Sequence, residues 1–191
     1  MNLTPLSIQG AWLAESPLRK DDRGLFREWF KREEIELKTK FDFSVAQANV
    51  SASNKGVIRG IHYSIAPEGQ AKWITCVSGS ILDVVADLRP NSPTYKKIEY
   101  VHLNGDDERS LLISHGLGHG FLSLEDNSTI AYLLSSQYSP DNELEVIPTD
   151  TDLNIDWHLQ LVRGSAVILS SKDAQAPTLK DREQNNQLPQ L

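Results

Sequence analysis

A sandwich or barrel of short β-strands is the fold that this sequence predicts. Three observations point to it. Apolar residues recur mostly with a period of two, in short runs. Clusters of Gly, Pro, Asn, Asp and Ser fall between those runs. Convincing long helices are scarce.

In chain order, the first element is a helix. The charged stretch Lys31 to Lys38 covers about two turns and reads as a surface helix. Ser44–Ser51 then alternates weakly, and Gly56–Tyr63 carries Val57 and Ile61 among polar residues. Ala71–Val77 and Ser80–Leu88 are stronger strands. In the latter, Leu82, Val84, Ala86 and Leu88 share one face, and Ile81, Asp83, Val85 and Asp87 share the other. Lys96–Leu103 alternates through Ile98, Tyr100 and His102. Ser110–Ile113, Gly118–Leu124, Ile130–Ser135 and Ser165–Leu169 complete the expected strands. Turns are expected at Pro67-Glu68-Gly69, Ser78-Gly79, Arg89 to Pro93 and Asn104 to Asp107.

The 191 residues show neither a repeat of fixed period nor an internal low-complexity linker, so one domain over residues 1–191 is expected. Its polar tail, from about residue 178, either frays or docks on a neighbour. With 39% hydrophobic and 24% charged residues, the composition is that of a globular protein. The single cysteine, Cys76, excludes an intramolecular disulfide, in keeping with a reducing compartment. The N-terminus lacks a signal-peptide pattern, and no apolar run approaches the ~18–20 residues that span a bilayer. No membrane association is therefore expected, and the cytoplasm is the expected location. A net charge of −7 argues against a broad nucleic-acid face. It leaves room for a small phosphate ligand, which needs only a few cations inside a pocket.

Several polar residues stand where a surface strand does not require them. Gln47, Asn49 and Ser51 project on one face, as a binding wall or as a solvated sheet face. Arg59 and His62 are three apart and favour opposite faces unless a bulge re-aims one, and Gly60 between them suits a bulge. Lys72 enters the apolar run Trp73–Val77, where it either snorkels to the surface or is held in a cleft. His115 and His119 lie among three glycines. The spacing is poor for a metal, and His62 has no His-x-His companion. Tyr132, Tyr138 and Glu143 flank a strand end, and Asp173 is either a surface carboxylate or the partner of a histidine.

Together these segments resemble the dTDP-4-dehydrorhamnose 3,5-epimerase family over almost the whole chain. The matching blocks are DDRGLFREWF (21–30), QANVSAS (47–53), GVIRGIHY (56–63), GQAKW (69–73), DVVADLRPNSPT (83–94), HGLGHGF (115–121), AYLLSSQYSPDNE (131–143) and SSKD (170–173). The resemblance implies a cupin-type jelly-roll barrel with a few short helices. It implies a homodimer in which residues near Phe26 and Glu28 reach the partner's site. His62 matches the family's general base, Asp173 its paired carboxylate, Tyr132 the general acid, and Lys72 the residue beside the C4 ketone. Arg23, Glu28, Gln47, Asn49, Arg59, His119, Glu143 and Lys172 match positions that bind the nucleotide sugar. Phe26 and Tyr138 match aromatic contacts to thymine, and Ser51 belongs to the same polar face as Gln47 and Asn49. The implied substrate is a dTDP-4-keto-6-deoxyhexose, epimerised at C3 and C5 with no metal or redox cofactor. Ser64, Ser114 and His158 depart from the usual pattern, away from the proton-transfer groups. Three rivals stand beside this reading: epimerisation at C3 alone, a metal-dependent cupin oxygenase, and a non-catalytic nucleotide-sugar-binding module.

Overall fold

The computed structural model describes residues 1–65 and 69–190. The chain opens with β1 (Asn2–Pro5), β2 (Ala11–Glu15) and a small hairpin of β3 (Arg19–Asp21) and β4 (Gly24–Phe26), followed by α1 (Arg32–Thr39). The barrel strands are β5 (Gln47–Ser53), β6 (Ile58–Ser64), β7 (Lys72–Ser78), β8 (Ser80–Asp87), β9 (Ile98–Asn104), β10 (Arg109–Ile113), β11 (Leu117–Ser123), β12 (Ser128–Leu134) and β13 (Glu143–Glu145). A 3-10 turn at Leu159–Val162 leads to α2 (Ser171–Ala174) and α3 (Leu179–Gln184). Two antiparallel sheets form the jelly roll, with strand orders β1-β2-β10-β7-β12-β5 and β13-β6-β11-β8-β9.

Strand alternation places the cores. Ile74, Cys76 and Ile130 from the first sheet meet Ile81, Val85 and Phe121 from the second, forming the layer between the sheets. The alternate residues of β8, Leu82, Val84 and Ala86, face outward but are equally buried. They pack with Leu153, Trp157, Leu179 and Leu188 of the C-terminal segment. On the far side, Trp73 and Leu112 are covered by Ile35 of α1 and by Phe43. Every residue of β8 is thus buried, Asp83 and Asp87 included. The two-faced alternation of Ser80–Leu88 reflects two cores rather than a wet and a dry side.

The helix expected over 31–38 forms one residue later, and eight of the nine expected strands form with shifted ends. Ser165–Leu169 does not become a strand. Ile168 makes a single parallel bridge to Val57, with backbone bonds of 2.9 and 3.0 Å to Ile58 and Gly56. From there the chain turns into α2, whose cap Ser170 accepts from the Asp173 N–H at 3.0 Å, so no second bridge follows. Of the turn expected at Pro67-Glu68-Gly69, Pro67 and Glu68 lie outside the described residues. The tail, through residue 190, packs on its own chain. Thr178 and Asp181 form a capping box that starts α3, with bonds of 3.0 and 3.1 Å, and Leu179 and Leu188 complete the outer core.

Thr178→Ala removes one half of that box. It is expected to cost about 1 kcal/mol and to lower the thermal midpoint by roughly 2–4 °C in a melting experiment. An unchanged midpoint would mean that α3 does not depend on its cap.

Candidate active site

Between the two sheets, beyond the apolar layer, opens a cavity of about 480 Å³. One wall is the first sheet. Tyr132 stands opposite Asn49 and Ile74, and Leu134 opposite Gln47 and Lys72. Directly opposed residues share a face, so Gln47, Asn49, Lys72 and Tyr132 all point inward, continuing the face that carries Ile74 and Ile130. The layer between the sheets therefore passes from apolar to polar along the same strands. Ser51 belongs to this face, opposite Ile130, but does not line the cavity.

The other wall is the second sheet, and its key feature is a bulge. Arg59 opposes Phe121, while His62 opposes His119, so three steps along β6 match two along β11. The extra residue turns Arg59 and His62 to the same side, and both line the cavity. Gly60 makes this possible. Its φ is +127°, and a Cβ there would lie 2.5 Å from the Gly120 Cα.

His62 Nε2 lies 2.7 Å from Asp173 Oδ1. Asp173 is 3% exposed. Burial pushes its carboxyl up, but the bonds with His62, Ser170 and the Gly60 backbone together outweigh this and hold it below the usual carboxylate range. Folding thus favours the ionised form. That contribution to stability is present above the ordinary value of ~3.9 and is lost as pH falls through the lowered one. With one imidazole nitrogen held, the other is free to exchange a proton with a ligand.

Lys72 is 7% exposed and does not snorkel. It rises from the sheet of Tyr132 and reaches across to the carbonyl of His62, with Nζ at 3.4 Å. Burial pushes its pKa down, against the opposing pull of Glu143 and Asp83. Beside it, Asp83 Oδ2 lies 2.8 Å from His119 Nε2, and Asp83 Oδ1 is buried with no hydrogen-bond partner among the described residues. Burial pushes the Asp83 carboxyl up, against His119 and Lys72. His119 is itself buried and is not part of the cavity wall.

The mouth is formed by Tyr138, Glu143 and Lys172. Gln47 fixes this rim, donating to Asn49 Oδ1 at 3.0 Å and accepting from the Tyr138 N–H at 2.9 Å. Three expected site residues lie elsewhere in the chain. Arg23 and Phe26 sit on the exposed β3–β4 hairpin, Arg23 bonded to Asp21 and Phe26 60% exposed. Glu28 pairs with Lys31 at 3.1 Å. Sequence reading missed Glu145 and Gln70, which line the cavity. Glu145 was accessible, because it lies two residues after Glu143 on the same strand and so shares its face. Among the described residues, no group of three or more His, Cys, Asp or Glu is placed to hold a metal ion, and no helix is long and apolar enough to cross a membrane.

The family model for dTDP-4-dehydrorhamnose 3,5-epimerase matches residues 5–181. A dTDP-4-dehydrorhamnose 3,5-epimerase of Mycobacterium tuberculosis is 42% identical over 99% of this chain and 93% of its own length. The dTDP-6-deoxy-D-glucose-3,5-epimerase of Legionella pneumophila, solved in complex with dTDP-4-keto-L-rhamnose, superimposes with a TM-score of 0.91. It is 33% identical, over 100% of this chain and 98% of that one. A 3'-monoepimerase from Streptomyces bikiniensis, solved in complex with dTDP-quinovose, also gives 0.91, at 44% identity over 97% and 92% of the two chains.

Gly60→Ala tests the bulge. The left-handed backbone alone costs a non-glycine residue about 1–3 kcal/mol, and the contact with Gly120 adds to it. A marked loss of stability in denaturant titration is expected. A variant as stable as the parent would show that the bulge does not need glycine.

Proposed function

The chain belongs to the dTDP-4-dehydrorhamnose 3,5-epimerase family, and we propose that it inverts C3 and C5 of dTDP-4-keto-6-deoxy-D-glucose to give dTDP-4-keto-L-rhamnose. One observation carries the mechanism. His62 stands on the second sheet with Asp173 of α2 bound to it, Tyr132 stands on the first, and buried Lys72 reaches from the first sheet to the second.

A C–H beside a ketone is weakly acidic because its electron pair can delocalise onto oxygen as an enolate. His62 takes the proton and becomes imidazolium, which the Asp173 carboxylate stabilises and orients. The C4 oxygen gains the charge, and the buried Lys72 ammonium is the cation placed to lower its energy. Tyr132 then donates its phenolic proton to the opposite face of the carbon, and the C4 ketone reforms. Solvent reprotonates the phenolate and accepts the proton from His62. C3 and C5 flank the same ketone, so one set of groups serves both. The reaction is redox-neutral and breaks no C–O bond, so it requires no hydride carrier.

For binding, Arg59 and Lys172 supply cations for the diphosphate, Tyr138 an aromatic face for thymine, and Gln47, Asn49 and Glu143 polar contacts to base and sugar. We assign Arg23, Phe26 and Glu28 to the cavity of a second protomer in a homodimer. Their hairpin projects Leu25 and Phe26 into solvent, as a segment with a partner to cover would. Ser51 and His119 share the inward faces of the two walls without lining the cavity. With a lone buried cysteine, we place the enzyme in the cytoplasm.

Proton NMR of dTDP-4-keto-6-deoxy-D-glucose in heavy water tests this reading. Deuterium is expected at C3 and C5 with the parent enzyme. His62→Ala should lower exchange on the order of 10²- to 10⁴-fold, and Lys72→Met on the order of 10²- to 10³-fold. Tyr132→Phe should lose turnover and keep binding. Label at C3 alone would reassign the chain to C3 epimerisation, and ligand binding without any exchange would make it a binding module.

A further inference from the structure

Glu145 has no place in the proton-transfer scheme, yet it lines the cavity. It stands directly opposite His62 in the β13–β6 pairing, so its side chain shares the catalytic face. A bare carboxylate there would repel an anionic ligand. It is not bare. Oε2 lies 2.9 Å from Lys172 Nζ, and Oε1 lies 3.7 Å from an Arg182 guanidinium nitrogen. Arg182 is buried, donates from Nε to the Glu145 carbonyl at 3.0 Å, and is tied to Gln187 Oε1 at 2.7 Å. Glu145 is 13% exposed at its side chain, whereas Lys172 is 57% exposed.

We propose that Glu145 is a positioning residue, clamped from behind by Arg182, that holds the Lys172 ammonium at the cavity rim for the diphosphate of the nucleotide sugar. This rests on the reading of the cavity given above, with Lys172 as a ligand contact. The charges run plus, minus, plus. Arg182 is permanently cationic and cancels the carboxylate, so the charge of Lys172 is left for the ligand. Fixing a free lysine side chain costs rotamer entropy, and the Glu145 contact meets part of that cost before the ligand arrives. The hydrogen bond to Glu145 is also the leading cause that raises the Lys172 pKa above its ordinary value. Arg182 lies on α3, so that helix, which does not line the cavity, acts on ligand binding through two side chains.

The test is the affinity for dTDP alone, by calorimetry, together with steady-state kinetics. Glu145→Gln and Lys172→Gln are each expected to weaken dTDP binding roughly 3- to 10-fold. The double variant should be little weaker than the worse single one, because both changes remove the same contact. KM should rise more than kcat falls, and Glu145→Asp should recover part of the loss. Tighter dTDP binding in Glu145→Gln would show that the carboxylate only repels, and would overturn the inference. Unchanged affinity with a lowered melting midpoint would overturn it as well, in favour of a purely structural ion pair. Lys172 is exposed, so its variant reads the contact even if Glu145→Gln does not fold, and unchanged affinity in Lys172→Gln counts against the proposal. Parent enzyme with no affinity for dTDP would overturn the reading of the cavity and this inference together. Parent binding with unaffected variants overturns the inference alone.

Discussion

Strand β6 carries one residue more than β11 between Arg59 and His62, and the face that lines the cavity depends on that mismatch. In a regular strand, residues three apart point to opposite sides, and either the cation or the base would be lost to the outer core. The bulge recovers both. It requires two backbones to pass within contact distance, which is why glycine stands at both 60 and 120. Ile61, the residue after the glycine, then points outward, where it is fully buried with Leu88 and Leu122. One irregularity thus aims two side chains at the ligand and anchors the strand in the layer behind.

The same barrel must also hold charged groups in a place built for apolar ones. Lys72, Asp83, His119 and Asp173 are all buried, and each costs free energy unless paired. Three of the four are paired closely, as His62–Asp173 and His119–Asp83. Among the described residues, Lys72 has only a long bond to a carbonyl and the field of Asp83 and Glu143. An ammonium held this way is destabilised in the resting protein and gains a strong partner only when negative charge develops at a neighbouring oxygen. This is what the role proposed for Lys72 requires of it.

Much of this arrangement was legible in the residues. Period-two runs located the long strands, and Gly60 between Arg59 and His62 signalled the bulge. The short strands β1 to β4 and β13 were not legible, because three to five residues carry too little alternation to stand out. Ser165–Leu169 misled for the opposite reason: its composition suits a strand, but only one residue finds a partner. The tail was misread because its polar surface hides two apolar anchors, Leu179 and Leu188, and because the Thr178–Asp181 box is a local signal inside a polar stretch. At the site, matched motifs named residues without saying which wall they belong to. The assignment of Tyr132 and Lys72 to one sheet and His62 to the other needed the strand order.

That division bears directly on stereochemistry. Inverting a carbon requires proton removal from one face and delivery to the other, so the two groups must stand on opposite sides of a flat enolate. A single sheet presents all its inward side chains from one direction and cannot do this without a long loop folding back over the ligand. Two sheets facing each other across a gap do it with no moving part. The gap remains open where the apolar layer ends because the inward positions change from Ile130 and Ile74 to Tyr132 and Lys72 within one strand repeat. Backbone hydrogen bonding on both walls then fixes the separation of Tyr132 and His62, the acid and base of the proposed reaction.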